Sequence, residues 1–160
     1  MNLKLLGIEN FQEIVCYDVV YLDEPYVYEW GKKWLTGELR LNSRIFSIGH
    51  WVFETIDAPF RSFSFYDEYG ITDFYGEDAK KLIEQLNVDK QTIADYDDQA
   101  FKKHFEMLYD LIEDEDYCLK KRPLDITAYL REDLITIIDT FIHYLNKAVA
   151  ENKSLTIVGI

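Results

Sequence analysis

The chain of 160 residues fits one domain with a substantial core, and its 48% apolar composition excludes a disordered chain. Its formal net charge of −13 argues against nucleic acid and anionic membrane as partners, because both attract positive charge. No apolar run approaches the ~20 residues that span a bilayer.

The opening MNLKLLGIENFQE lacks a long apolar region and a small-residue cleavage site, so a cytoplasmic protein with one domain over 1–160 is expected. Cys16 and Cys118 provide no disulfide framework. QEIVCYDVVYL (12–22) is rich in β-branched and aromatic residues and predicts a strand. Val15, Tyr17, Val19 and Tyr21 share one of its faces. Asp23, Glu24 and Pro25 open a short helix in which Val27, Trp30 and Trp34 align, and Gly37 closes it.

ELRLNSRIFSIG (38–49) and HWVFETI (50–56) are expected to be extended, with Asp57, Ala58 and Pro59 in a loop. RSFSFYD (61–67) alternates, with Phe63 and Phe65 inward. DEYG (67–70) is a turn, and ITDFY (71–75) is the returning strand of a hairpin. After Gly76, the carboxylates of Glu77 and Asp78 suit the first turn of a helix. Ala79, Leu82, Ile83 and Leu86 form its apolar stripe, and Asn87 marks its end.

A second helix is expected over 98–113, with Phe101, His104, Phe105, Leu108, Leu111 and Ile112 on one side. Arg122-Pro123 breaks the chain. Asp125 or Thr127 caps a long helix over 128–151. Leu134, Ile137, Ile138, Phe141, Leu145 and Ala148 line it, and Ile135, Ile142 and Val149 widen the arc. Such an arc needs cover on more than one side, from a sheet, a helix or a second subunit. SLTIVGI (154–160) is a final strand that joins the sheet. The expected fold class is therefore α+β. An antiparallel sheet from the N-terminal half and the C-terminal strand is packed by three to four helices, mostly from the C-terminal half.

Sequence motifs for chemistry are missing. There is no GxxxxGK(S/T), GxGxxG or GxSxG, and no HExxH or zinc knuckle. His104, Glu106 and Asp110 share a helix, but residues six apart share a face poorly. The run Asp114-Glu115-Asp116 lacks the spacing and glycine of a calcium loop. No catalytic, cofactor or metal residues are assigned. A hydrolase using Asp97, Asp98, Asp110 and Glu113 remains an alternative.

The charge is clustered. Residues 89–117 hold 10 acids and 3 bases, a net of −7, whereas 118–160 hold 5 acids and 6 bases, a net of +1. Asp95, Asp97, Asp98, Asp110, Glu113, Asp114, Glu115 and Asp116 form a candidate docking surface for a basic protein. Aromatics concentrate as well, with 14 of 25 between positions 26 and 75. Tyr66, Asp67, Glu68 and Tyr69 combine tyrosines with carboxylates, a mixture suited to protein recognition.

FYDEYGITDFYGEDAKKLIEQL (65–86) and FIHYLNKAVAENKSLTIVGI (141–160) resemble bacterial immunity proteins of polymorphic and contact-dependent toxin systems. That resemblance implies a small cytoplasmic protein that neutralises a cognate toxin domain by binding it. Many such toxins are nucleases with basic active sites. A different acidic interaction or scaffold protein, including a homodimer through the last helix, is the other reading.

Overall fold

The computed structural model describes residues 16–22, 44–113 and 124–159. The helix expected over 23–37, residues 12–15 and 38–43 of the expected extended segments, and the break at Arg122-Pro123 lie outside them. Four strands form one antiparallel sheet: β1 (Cys16–Leu22), β2 (Arg44–Gly49), β3 (Ile71–Phe74) and β4 (Ser154–Val158), in the order β2-β1-β4-β3. Six helices accompany it among the described residues: α1 (His50–Glu54), α2 (Ala58–Arg61), α3 (Gly76–Asp95), α4 (Asp98–His104), α5 (Glu106–Glu113) and α6 (Ile126–Glu151). The expected α+β class holds.

The C-terminal strand lies inside the sheet. Val19 pairs with Ile157 on one side of β4, and Thr72 pairs with Ile157 on the other. Every residue of β4 is buried, as its continuous run of β-branched and apolar side chains requires of an inner strand. Chain entry to β4 is set by Asn152, which adopts the left-handed conformation at φ 54°. The Lys153 N–H then donates to the Ala148 carbonyl at 2.8 Å, which satisfies the end of α6.

One sheet face packs under α3 and α6. Tyr17, Val19, Phe74, Leu155 and Ile157 meet Leu82, Leu86, Leu134, Ile138, Phe141 and Leu145 in the main core. Phe141 is its aromatic hub, with ring centroids 5.2 Å from Phe46, 6.0 Å from Phe53 and 5.2 Å from Phe60. Ile135, Ile142 and Val149 are half-buried against the same core, so the chain itself covers part of the wide arc of α6. The Asp125 carboxylate caps α6 by accepting from the Ala128 N–H at 2.9 Å.

Three expectations are corrected. His50–Glu54 is helical, because Val52, Phe53 and Ile56 follow helical spacing into the core, whereas Trp51 is exposed. The loop expected at 57–59 is instead the entry to α2, with Pro59 in its first turn. The hairpin over 61–75 does not form. Its second half is β3, but β3 pairs with β4. Residues 61–67 make successive local turns, with Phe63 N–H donating to the Phe60 carbonyl at 3.1 Å and Tyr66 N–H to the Phe63 carbonyl at 3.0 Å. Phe63 and Phe65 lie against Phe74 by ring contact rather than by strand alternation.

Two helix limits also move. α3 continues past Asn87 to Asp95, because Ile93 extends the stripe of Ala79, Leu82 and Leu86. Its start is fixed by Gly76, whose φ of +55° suits glycine at the turn out of β3. The helix expected over 98–113 breaks at Phe105, with φ −110° and ψ 29°, yet the buried line of Phe101, Phe105, Leu108 and Ile112 runs through the break. His104 is exposed beside that line rather than within it.

Phe141→Ala is expected to destabilise the fold by about 3–5 kcal/mol in urea unfolding, as for other buried aromatics. Phe65→Ala, at a half-exposed ring, is expected to lose less than about 1.5 kcal/mol. Equal losses would restore the inward Phe65 of the hairpin.

Candidate functional site

Two groups of candidate residues are described, and both stand on well-anchored backbone. The first is the junction between α3 and α4. Asp95 is the last residue of α3 and accepts from the Gln91 side-chain amide at 2.8 Å. Asp97 is the N-cap of α4 and accepts from the Ala100 N–H at 2.8 Å. Asp98 follows in the first turn, where a carboxylate suits the helix dipole.

Arg131 of α6 holds this junction together. Its guanidinium donates to the carbonyls of Ile93 at 2.8 Å and Tyr96 at 2.6 Å, and to the Asp98 carboxylate at 2.9 Å. It also lies 4.6 Å from the centroid of the Phe101 ring. A planar, five-donor group suits this bridging of two carbonyls and a carboxylate. The three acids remain exposed, and Asp98 is 82% exposed despite its ion pair. Water screens that pair, so one arginine offsets the local field only in part.

Asp110 is exposed on α5, one helix further along. Glu113 ends α5. The Glu113 side chain, and Asp114, Glu115 and Asp116 entirely, lie outside the described residues.

The second group is the turn at 66–69. The Asp67 carboxylate accepts from the Tyr69 N–H at 3.1 Å, and the Asp67 N–H donates to the Thr72 hydroxyl at 3.0 Å. The turn is fastened to β4 where the Gly159 N–H donates to the Gly70 carbonyl at 2.8 Å. A side chain at 159 has no room, because its Cβ would collide with the Glu68 carbonyl. Glu68 pairs with Arg61 at 3.1 Å, and the same guanidinium pairs with the buried Asp57. Tyr69 is 72% exposed. Tyr66 points inward instead, with its ring 6.3 Å from Phe60 and its hydroxyl buried.

The structure adds residues that local sequence reading missed. β1 begins, β2 ends, β4 ends and β3 begins at one end of the sheet, as the pairs Cys16–Gly49, Asp18–Val158 and Ile71–Val158 require. Tyr17, His50, Glu54, Asp57 and Arg61 therefore gather with the 66–69 turn. The His50 ring stacks on Tyr17 at 5.7 Å, and His50 Nε2 is 3.1 Å from Glu54. Burial pushes the Tyr17 hydroxyl well above the usual tyrosine range, and the charges of Glu68, Glu54 and Asp57 push the same way. Burial also raises Tyr66. Burial raises Asp57, although Arg61 opposes it. No short motif joins these residues, and a sequence signal for them is missing.

Among the described residues, no cluster of three or more His, Cys, Asp or Glu is placed to hold a metal ion. No helix among them is long and apolar enough to cross a membrane. No protein family, curated protein or solved structure matches the chain.

Two outcomes test these arrangements. Arg131→Met is expected to lower stability by roughly 2 kcal/mol, since it removes charge-assisted bonds to buried-side carbonyls. Amide exchange should accelerate at residues 97–101, and unchanged exchange there would remove Arg131 as the anchor. Asp57 has a raised folded pKa, so its ionisation opposes folding. The contribution of Asp57 to stability should therefore be greatest below the unfolded aspartate value of about 3.9 and fall as pH rises through the folded value. Asp57→Asn should flatten this part of the pH–stability curve, and an unaltered slope would exclude Asp57 as its source.

Proposed function

We propose that this protein binds a basic partner protein and neutralises it, as the immunity partner of a bacterial toxin domain. The observation that carries this reading is the junction of Asp95, Asp97 and Asp98. Three exposed carboxylates fall within four residues on backbone held by Arg131. A charged surface on a rigid frame loses little conformational freedom on binding, which favours affinity. The net charge of −13 adds a long-range field that accelerates encounter with a basic protein.

Binding also gives a reason for the negative charge at Asp95, where stability alone gains nothing from it. Asp95 stands at the C-terminal end of α3, where negative charge opposes the helix dipole by roughly 0.3–1 kcal/mol. Tyr69 supplies an exposed ring at the other group, beside Glu68. Tyrosine gives large contact area with few rotatable bonds.

The test pairs the chain with the candidate toxin domain: any toxin-like domain encoded beside its own gene, whose absence there would count against the reading. Co-expression should restore growth to cells producing that domain. The association rate should fall at least about tenfold as salt rises from ~0.01 M to ~0.15 M, because the screening length shrinks from ~30 to ~8 Å. The triple variant D95N/D97N/D98N keeps an effective cap at 97 and should slow association at low salt with little change in dissociation. A complex that forms at a salt-independent rate removes the electrostatic mechanism, and absence of both binding and protection removes the function.

A further inference from the structure

The end of the sheet beside the 66–69 turn contains a polar group that the acidic junction does not use. Tyr17 is 2% exposed, yet its hydroxyl has no hydrogen-bond partner among the described residues. The Tyr66 hydroxyl is buried and unpartnered in the same sense. Leaving such a group unsatisfied is costly, so two together mark a place where the fold gives up stability. The two tyrosines are linked through the packed rings of Phe53 and Phe60, with centroid spacings of 4.5, 5.0 and 6.3 Å along the series, and the charges of Asp57 and Glu68 act on both hydroxyls.

Among the described residues, the charges here do not balance. Glu54, Asp57 and Glu68 supply three carboxylates. Arg61 is shared by two of them, and Glu54 has His50, which carries charge only when protonated. The surplus is negative around acceptors with free lone pairs. Exposed aromatic rings border it: Tyr69, and Trp51, whose ring stands 5.2 Å from His50.

We infer that the Tyr17 and Tyr66 hydroxyls, with Glu54, Asp57 and Glu68 around them, form a receptor for one arginine side chain of a partner protein. A planar guanidinium presents several donors at once and reaches two hydroxyl oxygens and a carboxylate together, whereas an ammonium is a compact, strongly hydrated point charge. It is also weakly hydrated, so its transfer into a partly buried site is less costly. Tyr69 is the exposed member of the group, so its ring can turn onto a bound cation at little loss of packing. The inference rests on the reading of the protein as a binder of a basic protein, and it names the recognised side chain and a second place of contact.

The experiment uses the whole chain with tyrosine rings isotopically labelled, and hexa-arginine and hexa-lysine peptides as probes at low salt. Hexa-arginine should shift the ring signals of Tyr17, Tyr66 and Tyr69, and bind at least about fivefold more tightly than hexa-lysine. Tyr17→Phe keeps the ring against His50 and Phe53 and removes only the hydroxyl. It should leave the protein folded, at equal or greater stability, and weaken hexa-arginine binding several-fold, as should E54Q/E68Q. Affinity unchanged in Tyr17→Phe overturns the proposal, as does equal binding of the two peptides. A shift confined to the Tyr96 ring overturns this receptor and leaves the toxin-binding function standing. Ring shifts here, with no complex formed with the candidate toxin domain, support the receptor and overturn that function.

Discussion

The structure depends on the placement of β4 between β1 and β3. This strand comes from the end of the described chain and pairs with strands that begin at Cys16 and Ile71. Neither neighbour reaches the other without it. The pairing is long-range, so its loop-closure entropy must be offset by burial, and every residue of β4 is buried. The same pairing positions both candidate groups. It draws the 66–69 turn against Gly159, and it sets the exit direction of α6, from which Arg131 reaches the α3–α4 junction.

The parts legible in the sequence are those in which one period persists. Over α6, the repeat from Leu134 to Ala148 runs for four turns, and no strand buries that set on one side. SLTIV was readable because a short β-branched run follows a plausible helix stop. RSFSFYD misled because alternation of Phe and Ser over five residues is also produced by successive turns that dock rings on Phe74. Strand or turn is decided there by which partner β3 takes, and a sequence pattern does not contain that. HWVFETI misled through composition. Aromatic and β-branched residues suit strands, but tertiary burial of Val52, Phe53 and Ile56 outweighs a propensity difference of about 1 kcal/mol.

The candidate acids were legible as a cluster and not as an arrangement. Charge density along 95–98 is visible directly, but the anchor is Arg131, more than thirty residues away. Without it, the acidic stretch reads equally well as a solvated loop. The Tyr17 group is less visible still. Its members come from β1, α1, the entry to α2 and the 66–69 turn, and only the register of the sheet brings them to one end.

The two groups differ in a way that bears on how an acidic protein achieves selectivity. The carboxylates at 95–98 are exposed and hydrated, so they act through the field and favour any basic surface. A field alone discriminates poorly, because each exposed pair contributes little and water competes. The Tyr17 and Tyr66 hydroxyls are shielded from water, so a donor that reaches them is matched in geometry as well as in charge. A wrong partner leaves those oxygens unpaired and gains nothing there. On the proposed reading, capture by the exposed acids followed by discrimination at the buried hydroxyls would divide the work between rate and specificity, which a field from exposed carboxylates alone does poorly.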